Sequence, residues 1–258
     1  MSRKLKFGDL LIFLTIQVLF AFSGTVSADS SEMKKQRCRQ TGLTLECNYF
    51  PQDILENVTI VRIVGWFSDS NCDNKTFQSN TWKKVKILDI NDLPKGESNT
   101  GAFQLLSKCF FQFKELQELY LHSDTFNLYE NTFLGLEKLQ RLDLSGCARL
   151  RMAPLNKALR GPKKVPNLTQ ISLSNAGYLS AFLQLDEAFA DALSDKPVED
   201  IDASNTQITV LNITEIVTKI KHLKYVNVSS TKIGYADSNG LNLPWQLQTI
   251  DARPHGPR

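Results

Sequence analysis

Apolar side chains return along this chain in a fixed short phrase. They occupy its first, fourth and sixth positions, and a small polar residue is expected at its ninth. Leu139, Leu142, Leu144 and Cys147 form one copy, Leu168, Ile171, Leu173 and Ala176 another, and Leu223, Val226, Val228 and Thr231 a third. The alternation between the fourth and sixth positions predicts a short strand that buries one face. Copies begin at Val58, Val85, Leu116, Leu139, Leu168, Val198, Leu223 and Leu247, spaced by 23 to 31 residues. The phrase is clearest at Leu116, Leu139, Val198 and Leu223. It is weaker at Val58 and Val85, and Trp66 falls where the first copy should carry its small polar residue.

Such a phrase, repeated every ~20–29 residues, is the leucine-rich-repeat pattern. The expected fold is an α/β repeat, a leucine-rich-repeat solenoid of horseshoe form with a parallel concave β-sheet and an irregular convex side. Each inward side chain contributes about 1.5–3 kcal/mol when buried, but only against a neighbouring repeat. The ninth position turns the chain out of the strand, and its side chain is expected to bond to otherwise buried backbone. Asn is usual there, whereas this chain has Asp124, Cys147, Ala176, Thr206 and Thr231. Ala176 has no side-chain donor, so its turn is expected to be looser. Ile208, Leu211, Ile233, Phe126 and Phe133 follow the turns and are expected to line the convex side of the core.

The ends of the chain set its compartment. Arg3, Lys4 and Lys6 precede an apolar run from Leu10 to Phe22 and small residues at Val26, Ser27 and Ala28. That is the form of a cleaved secretory signal over 1–28, and the run is too short for the ~20 residues of a membrane span. Residues 29–57 then read as an amino-terminal cysteine cap, 58–252 as about eight irregular repeats and 253–258 as a tail. The chain is expected to be secreted, with no membrane anchor of its own. Disulfides persist outside the cell. Cys38 and Cys47 are placed to cap the first repeat, Cys72 and Cys109 to staple two irregular stretches, and Cys147 to be a small buried residue; the sequence alone does not select the pairing. Five glycosylation sequons agree with secretion, at Asn57, Asn74, Asn167, Asn212 and Asn227. The tail follows no carboxy-terminal cysteine cluster or capping helix, as expected of part of a longer protein, or of a shortened form with a partner at that edge.

Charge and chemistry narrow the function classes. The net charge is +3, and loss of Arg3, Lys4, Lys6 and Asp9 with the signal leaves about +1, which makes no bulk case for nucleic acid. His122, His222 and His255 have no metal-ligand spacing, and no phosphate loop or nucleophile elbow occurs, so no enzyme, metal or cofactor is expected. Asp89, Asp143, Asp202 and Asp251 share the fifth position and should stack as a partial acidic column, either a cation-binding stripe or simply tolerated strand residues. Arg149, Arg151, Lys157, Arg160, Lys163 and Lys164 form a local basic cluster, read first as a solvated loop and second as an anion-docking one. The candidate binding surface is the concave sheet, represented by Tyr120, His122, Arg141, Asp143, Asp202 and Tyr225. A glycan on Asn227 would shield that face near its end, so recognition there is expected at a lateral edge or in the irregular loops.

The signal, the two-cysteine cap, the irregular repeats and the sequons together resemble the amino-terminal ectodomain of a Toll-like receptor. The likeness is clearest over Leu139–Leu150, Val198–Ile208 and Leu223–Ile233. It implies extracellular recognition of a protein or microbial ligand in innate immunity, with a receptor dimer partner. The transmembrane and cytoplasmic signalling portions of that family do not occur in the sequence. A secreted decoy or co-receptor is the alternative, and an extracellular matrix adhesion protein ranks third because its amino-terminal cysteine cluster is denser.

Overall fold

Each of the eight register positions leads into a strand of one sheet. The computed structural model describes residues 37–65, 71–73, 75–92, 103–123, 126–177, 183–237 and 249–251, all within one unit. The leader, Trp66, Asn74, Asp124, Leu247, His255 and the tail lie outside them, as do the side chains of Phe126 and Ile233. The first two strands, β1 (Cys38–Thr41) and β2 (Thr44–Cys47), make an antiparallel hairpin closed by the Cys38–Cys47 disulfide. Next come β3 (Ile60–Gly65), β4 (Asn71–Cys72), β5 (Ile87–Asp92), β6 (Phe103–Leu105), β7 (Glu118–Ser123) and β8 (Phe126–Leu128). The chain continues through β9 (Arg141–Asp143), β10 (Gln170–Ser172), β11 (Leu183–Leu185), β12 (Asp200–Asp202), β13 (Gln207–Asn212), β14 (Tyr225–Asn227), β15 (Lys232–Asp237) and β16 (Thr249–Asp251).

The main sheet runs β1-β2-β3-β5-β7-β9-β10-β12-β14-β16, parallel from β2 onward. The hairpin is therefore more than a cover, because its second strand is the first strand of the parallel array. Register is constant: Leu88, Leu119, Leu142, Ile171, Ile201, Val226 and Ile250 are partners in succession. Backbone bonding repeats with it. The Gln117 carbonyl accepts from the N–H groups of Gln140 and Arg141, Gln140 from Thr169 and Gln170, and Thr169 from Glu199 and Asp200, all at 2.8–3.1 Å. Two smaller parallel sheets, β4-β6-β8 and β11-β13-β15, form after the turns.

Behind the sheet the core differs between its two halves. In the first half aromatic rings fill it: Phe77 lies 4.7 Å from Trp82 and 4.8 Å from Phe113, ring centre to ring centre. The Cys72–Cys109 disulfide joins the two irregular segments over that cluster. In the second half short helices take over, α1 (Met152–Leu159), α2 (Glu187–Leu193) and α3 (Ile213–Lys219). Their buried faces include Leu155 and Leu159, Phe189 and Leu193, and Ile213 and Ile216. Asp186 caps α2 through the Phe189 N–H, and Asn212 caps α3 through the Glu215 N–H, both at 3.1 Å. Lys219 of α3 bonds Glu187 and Asp191 of α2, each at 2.8 Å, and these bonds, led by Asp191, hold its pKa above the ordinary lysine range. Ile208, Leu211 and Phe133 are buried, as expected of residues that follow the turns.

The exit from each strand is equally regular. The eighth position is left-handed in four consecutive copies: Gly146 (φ 73°), Asn175 (56°), Asn205 (55°) and Ser230 (58°). At the ninth, Cys147 Sγ donates to the Leu121 carbonyl, Thr206 to Ala203 and Thr231 to Val228. The Ala176 turn is not looser. Its own N–H reaches the Leu173 carbonyl at 3.0 Å, against 3.3 Å from Cys147 to Leu144, and the Gly177 N–H bonds the Cys147 carbonyl at 2.9 Å. Backbone donors there replace the missing side chain.

No atom lies within 4 Å of a Cβ added at Gly146, so only backbone conformation opposes substitution. Gly146→Ala should cost about 1–2 kcal/mol, measured by urea denaturation. Gly146→Asn should cost clearly less, because Asn occupies this position in the next two copies.

Candidate functional site

One face of the main sheet is in the core and the other is open. On the open face, register lines up the third positions Glu118, Arg141, Gln170, Asp200 and Tyr225. Beside them stand the fifth positions Asp89, Tyr120, Asp143, Ser172, Asp202 and Asn227. Neighbours in a column sit ~4.8 Å apart, the spacing of paired strands.

In three copies the fifth position holds the turn. Asp143 Oδ1 accepts the Ser145 N–H at 3.0 Å, Asp202 Oδ1 accepts Ser204 at 2.9 Å and Asn227 Oδ1 accepts Ser229 at 3.0 Å. These are Asx turns, in which a short acceptor side chain bonds the backbone two residues on. Asp143 is consequently only 6% exposed, where the sequence pattern placed it on the open surface. At Asp143 and Asp202 the acidic column is a column of turn-closing groups.

The densest chemistry on the face joins β7 and β9. The Tyr120 hydroxyl donates to Glu118 Oε2, and Arg141 Cζ stands 5.4 Å from the centre of the Tyr120 ring. Arg141 Nη2 is 3.2 Å from Asp143 Oδ2. The His122 ring lies 6.2 Å from that of Tyr120, with Nδ1 2.9 Å from the Ser145 carbonyl oxygen. Burial, then the Glu118 bond, pushes the Tyr120 phenol up to about 12. Burial opposes the charge on Arg141, but the Asp143 hydrogen bond and the acidic neighbours outweigh it and raise its pKa. Burial raises the Asp89 carboxyl against the lowering influence of His122 and Arg62. It also raises Asp200, helped by Asp202. Asp89 Oδ1 and Arg141 Nε are buried without a hydrogen-bond partner.

The structure divides the sequence-derived surface. Tyr120, His122, Arg141 and Asp143 come together, Asp202 lies two strands further, and Tyr225, 44% exposed, lies beside Asn227 on β14. From β9 to β14 is three strand spacings, ~14 Å. Of the sequons, Asn57 and Asn167 are exposed, whereas Asn212 and Asn227 are half-buried and bonded to backbone N–H groups. Of the six basic residues after Cys147, five are exposed, whereas Lys164 is 8% exposed and bonded to the Lys157 carbonyl; Arg160 pairs with Asp191. Among the described residues no His, Cys, Asp or Glu group is arranged to hold a metal ion, and no helix is long and apolar enough to cross a membrane. The sequence pattern did not mark a groove around Phe111, a residue 40% exposed; its only sign is an aromatic residue off the repeat register.

No family model matches the chain, and no curated protein does. Among solved structures the chain is similar to TLR13 in a crystal structure of the TLR13–ssRNA13 complex. The two are 16% identical with a TM-score of 0.48, over 76% of this chain and 33% of that one. This chain thus spans about a third of the length of the protein it matches.

Two substitutions separate the turn from the face. Asp143→Asn keeps an acceptor for Ser145 and loses only a partly exposed ion pair, so it should cost under about 1 kcal/mol; Asp143→Ala loses both and should cost about 1–3 kcal/mol, both read from chemical denaturation. Folded Asp89 keeps its proton above the ordinary value of 3.8, where the unfolded carboxyl has lost it, so its contribution to stability falls as pH rises through that window. Asp89→Asn should therefore raise the denaturation midpoint at pH 7, and the gain over the natural chain should vanish as pH drops below 3.8. An equal gain at all pH values would refute this account of Asp89.

Proposed function

We propose that this chain is an extracellular recognition module that binds its ligand across the open face of the main sheet. The observation that carries the reading is the junction of β7 and β9. There, adjacent repeats bring an aromatic ring, a guanidinium and the Glu118 carboxylate together on one open surface, with the buried Asp143 paired to the guanidinium. Tyr and Arg are the side chains that most often dominate binding energy at protein interfaces. A repeat array presents such groups on an extended surface, which suits a macromolecular partner. The two disulfides support an oxidising compartment, in keeping with a cleaved leader over 1–28. In its finer form the reading is innate immune recognition of a microbial or protein ligand, as the resemblance of the repeats to Toll-like-receptor ectodomains implies.

Asn227 locates the face more narrowly. A glycan there would cover Tyr225 and its surroundings but stands ~14 Å from Arg141. Recognition therefore centres on Glu118, Tyr120 and Arg141, with Tyr225 outside it.

The test is secretion of the full chain from eukaryotic cells, then binding measurements against a panel of microbial products and displayed extracellular proteins. The secreted product should begin at Asp29. A ligand found this way should lose at least tenfold in affinity, about 1.4 kcal/mol, with Tyr120→Ala or Arg141→Ala, and little with Tyr225→Ala. A ligand that binds all three variants equally well rules out the sheet face as its site.

A further inference from the structure

Away from the sheet face, the loop after α1 meets the turns at 108–112 and 134–137. A groove of about 570 Å³ opens between them, with Phe111, Leu134, Gly135, Pro162, Pro166 and Asn167 in its walls. Its size falls within the ~300–1,000 Å³ typical of small-ligand clefts, and Glu137, Lys163 and Asn167 set polar groups among its apolar walls. An antiparallel bridge joins Leu134, in its wall, to Lys164. Gly135 has φ +89°, and a Cβ there would stand 2.9 Å from the Phe111 ring, so the ring rests against bare backbone. Lys114 Nζ sits 3.9 Å from the ring centre. Phe111 nevertheless stays 40% exposed, unusual for an aromatic side chain so firmly seated.

One wall carries its own candidate occupant, because Asn167 opens the sequon completed by Thr169. Its carboxamide Nδ2 donates one hydrogen to the Glu137 carbonyl at 2.6 Å. A carboxamide nitrogen has two hydrogens, and glycosylation replaces one, so this bond fixes the side chain while leaving the other hydrogen to be substituted. The Thr169 hydroxyl is tied to the Gln140 carbonyl at 3.0 Å. We infer that Asn167 carries an N-linked glycan whose first N-acetylglucosamine lies in this groove against Phe111 and the proline rings. The sugar ring has a face of C–H groups that suits an aromatic and proline surface, and its hydroxyls stay towards solvent. Attachment at the wall gives the sugar a millimolar or higher effective concentration there, so it holds the groove against any free competitor of similar chemistry. Transfer forms the bond from Nδ2 to the sugar C1 and breaks the C1–O bond to the diphosphate of a lipid-linked oligosaccharide. The lipid diphosphate leaves, and the Nδ2 proton passes to a base of the transferring enzyme.

The inference rests on the extracellular reading and is tested on the secreted full chain. Peptide mapping by mass spectrometry reads occupancy at Asn167. Hydrogen exchange of the 108–114 and 134–137 segments is then compared between protein trimmed to single N-acetylglucosamines and the unglycosylated Asn167→Asp chain. The same pair is made with Phe111→Ala and with Phe111→Leu, which keeps bulk but not the ring. Loss of the sugar should speed exchange in these segments at least about threefold with Phe111 present, and little in either variant. An unmodified Asn167 in a chain glycosylated at Asn57 or Asn227 overturns the inference alone, and so does an equal change in all three backgrounds. A chain neither secreted nor glycosylated anywhere overturns the inference and the extracellular reading together.

Discussion

Everything in this molecule depends on a backbone carbonyl that serves two donors in the next repeat. At Gln117, Gln140, Thr169 and Glu199 the carbonyl just before the strand accepts from two successive N–H groups of the following copy. The bond fixes register before the strand begins, and register decides which side chains face inward. A one-residue slip would put Arg141 and Asp143 in the core and Leu142 in water. The exit is fixed as tightly by a left-handed residue at the eighth position, joined after β9, β12 and β14 by an acceptor at the fifth. Between these two anchors only three residues are formally strand, in β9, β10, β12 and β14. Such short strands persist because both ends are anchored and because each apolar stack is shared with two neighbours.

The polar face follows from the same register. Parallel strands in constant alignment bring like positions to ~4.8 Å from one another, so each charge meets its counterparts in the adjoining copies. Where the series alternates, as Glu46, Arg62 and Asp89 do, charges offset one another, and Arg62 pairs with Glu46 at 3.4 Å. At Asp200, burial and then the Asp202 carboxylate two residues along the same strand raise the pKa. Arg141 is the exception that gathers a site. It stands beside Glu118 and Tyr120 on β7 and shares its strand with Asp143, so one cation is surrounded by ring, hydroxyl and carboxylate.

The strand framework was legible because burial imposes period two on every copy. Even the weaker marks Val58 and Val85 are fully buried and enter β3 and β5. Asp143 misled for a physical reason. Alternation tells which face a side chain takes but not whether it folds back onto its own backbone, as Asp143 and Asp202 do. Ala176 misled similarly, since a turn can close on the N–H groups of Ala176 and Gly177 with no side chain involved. Of the three short α-helices among the described residues, α2 and α3 are set by capping at Asp186 and Asn212, a local signal easily lost among loop residues, and α1 has no side-chain cap. The groove at Phe111 has no periodic signature at all, because it arises where three loops of different copies meet.

That difference in origin bears on how the two surfaces can serve one protein. The sheet face is built from repeating positions, so it can vary residue by residue without disturbing register, provided the fifth-position acceptors remain. Substituting Tyr120 or Arg141 changes chemistry while leaving the Asx turns at Asp202 and Asn227 untouched. The groove allows no such freedom, since Gly135 must lack a side chain for Phe111 to seat and Leu134 must bridge Lys164. A surface that can drift suits recognition of a changing ligand. A surface locked by backbone geometry suits a constant occupant, and a covalently attached sugar is as constant as an occupant can be. On the proposed reading the two divide the work. The sheet face meets the outside partner, and a glycan at Asn167 covers the apolar seam among the loops.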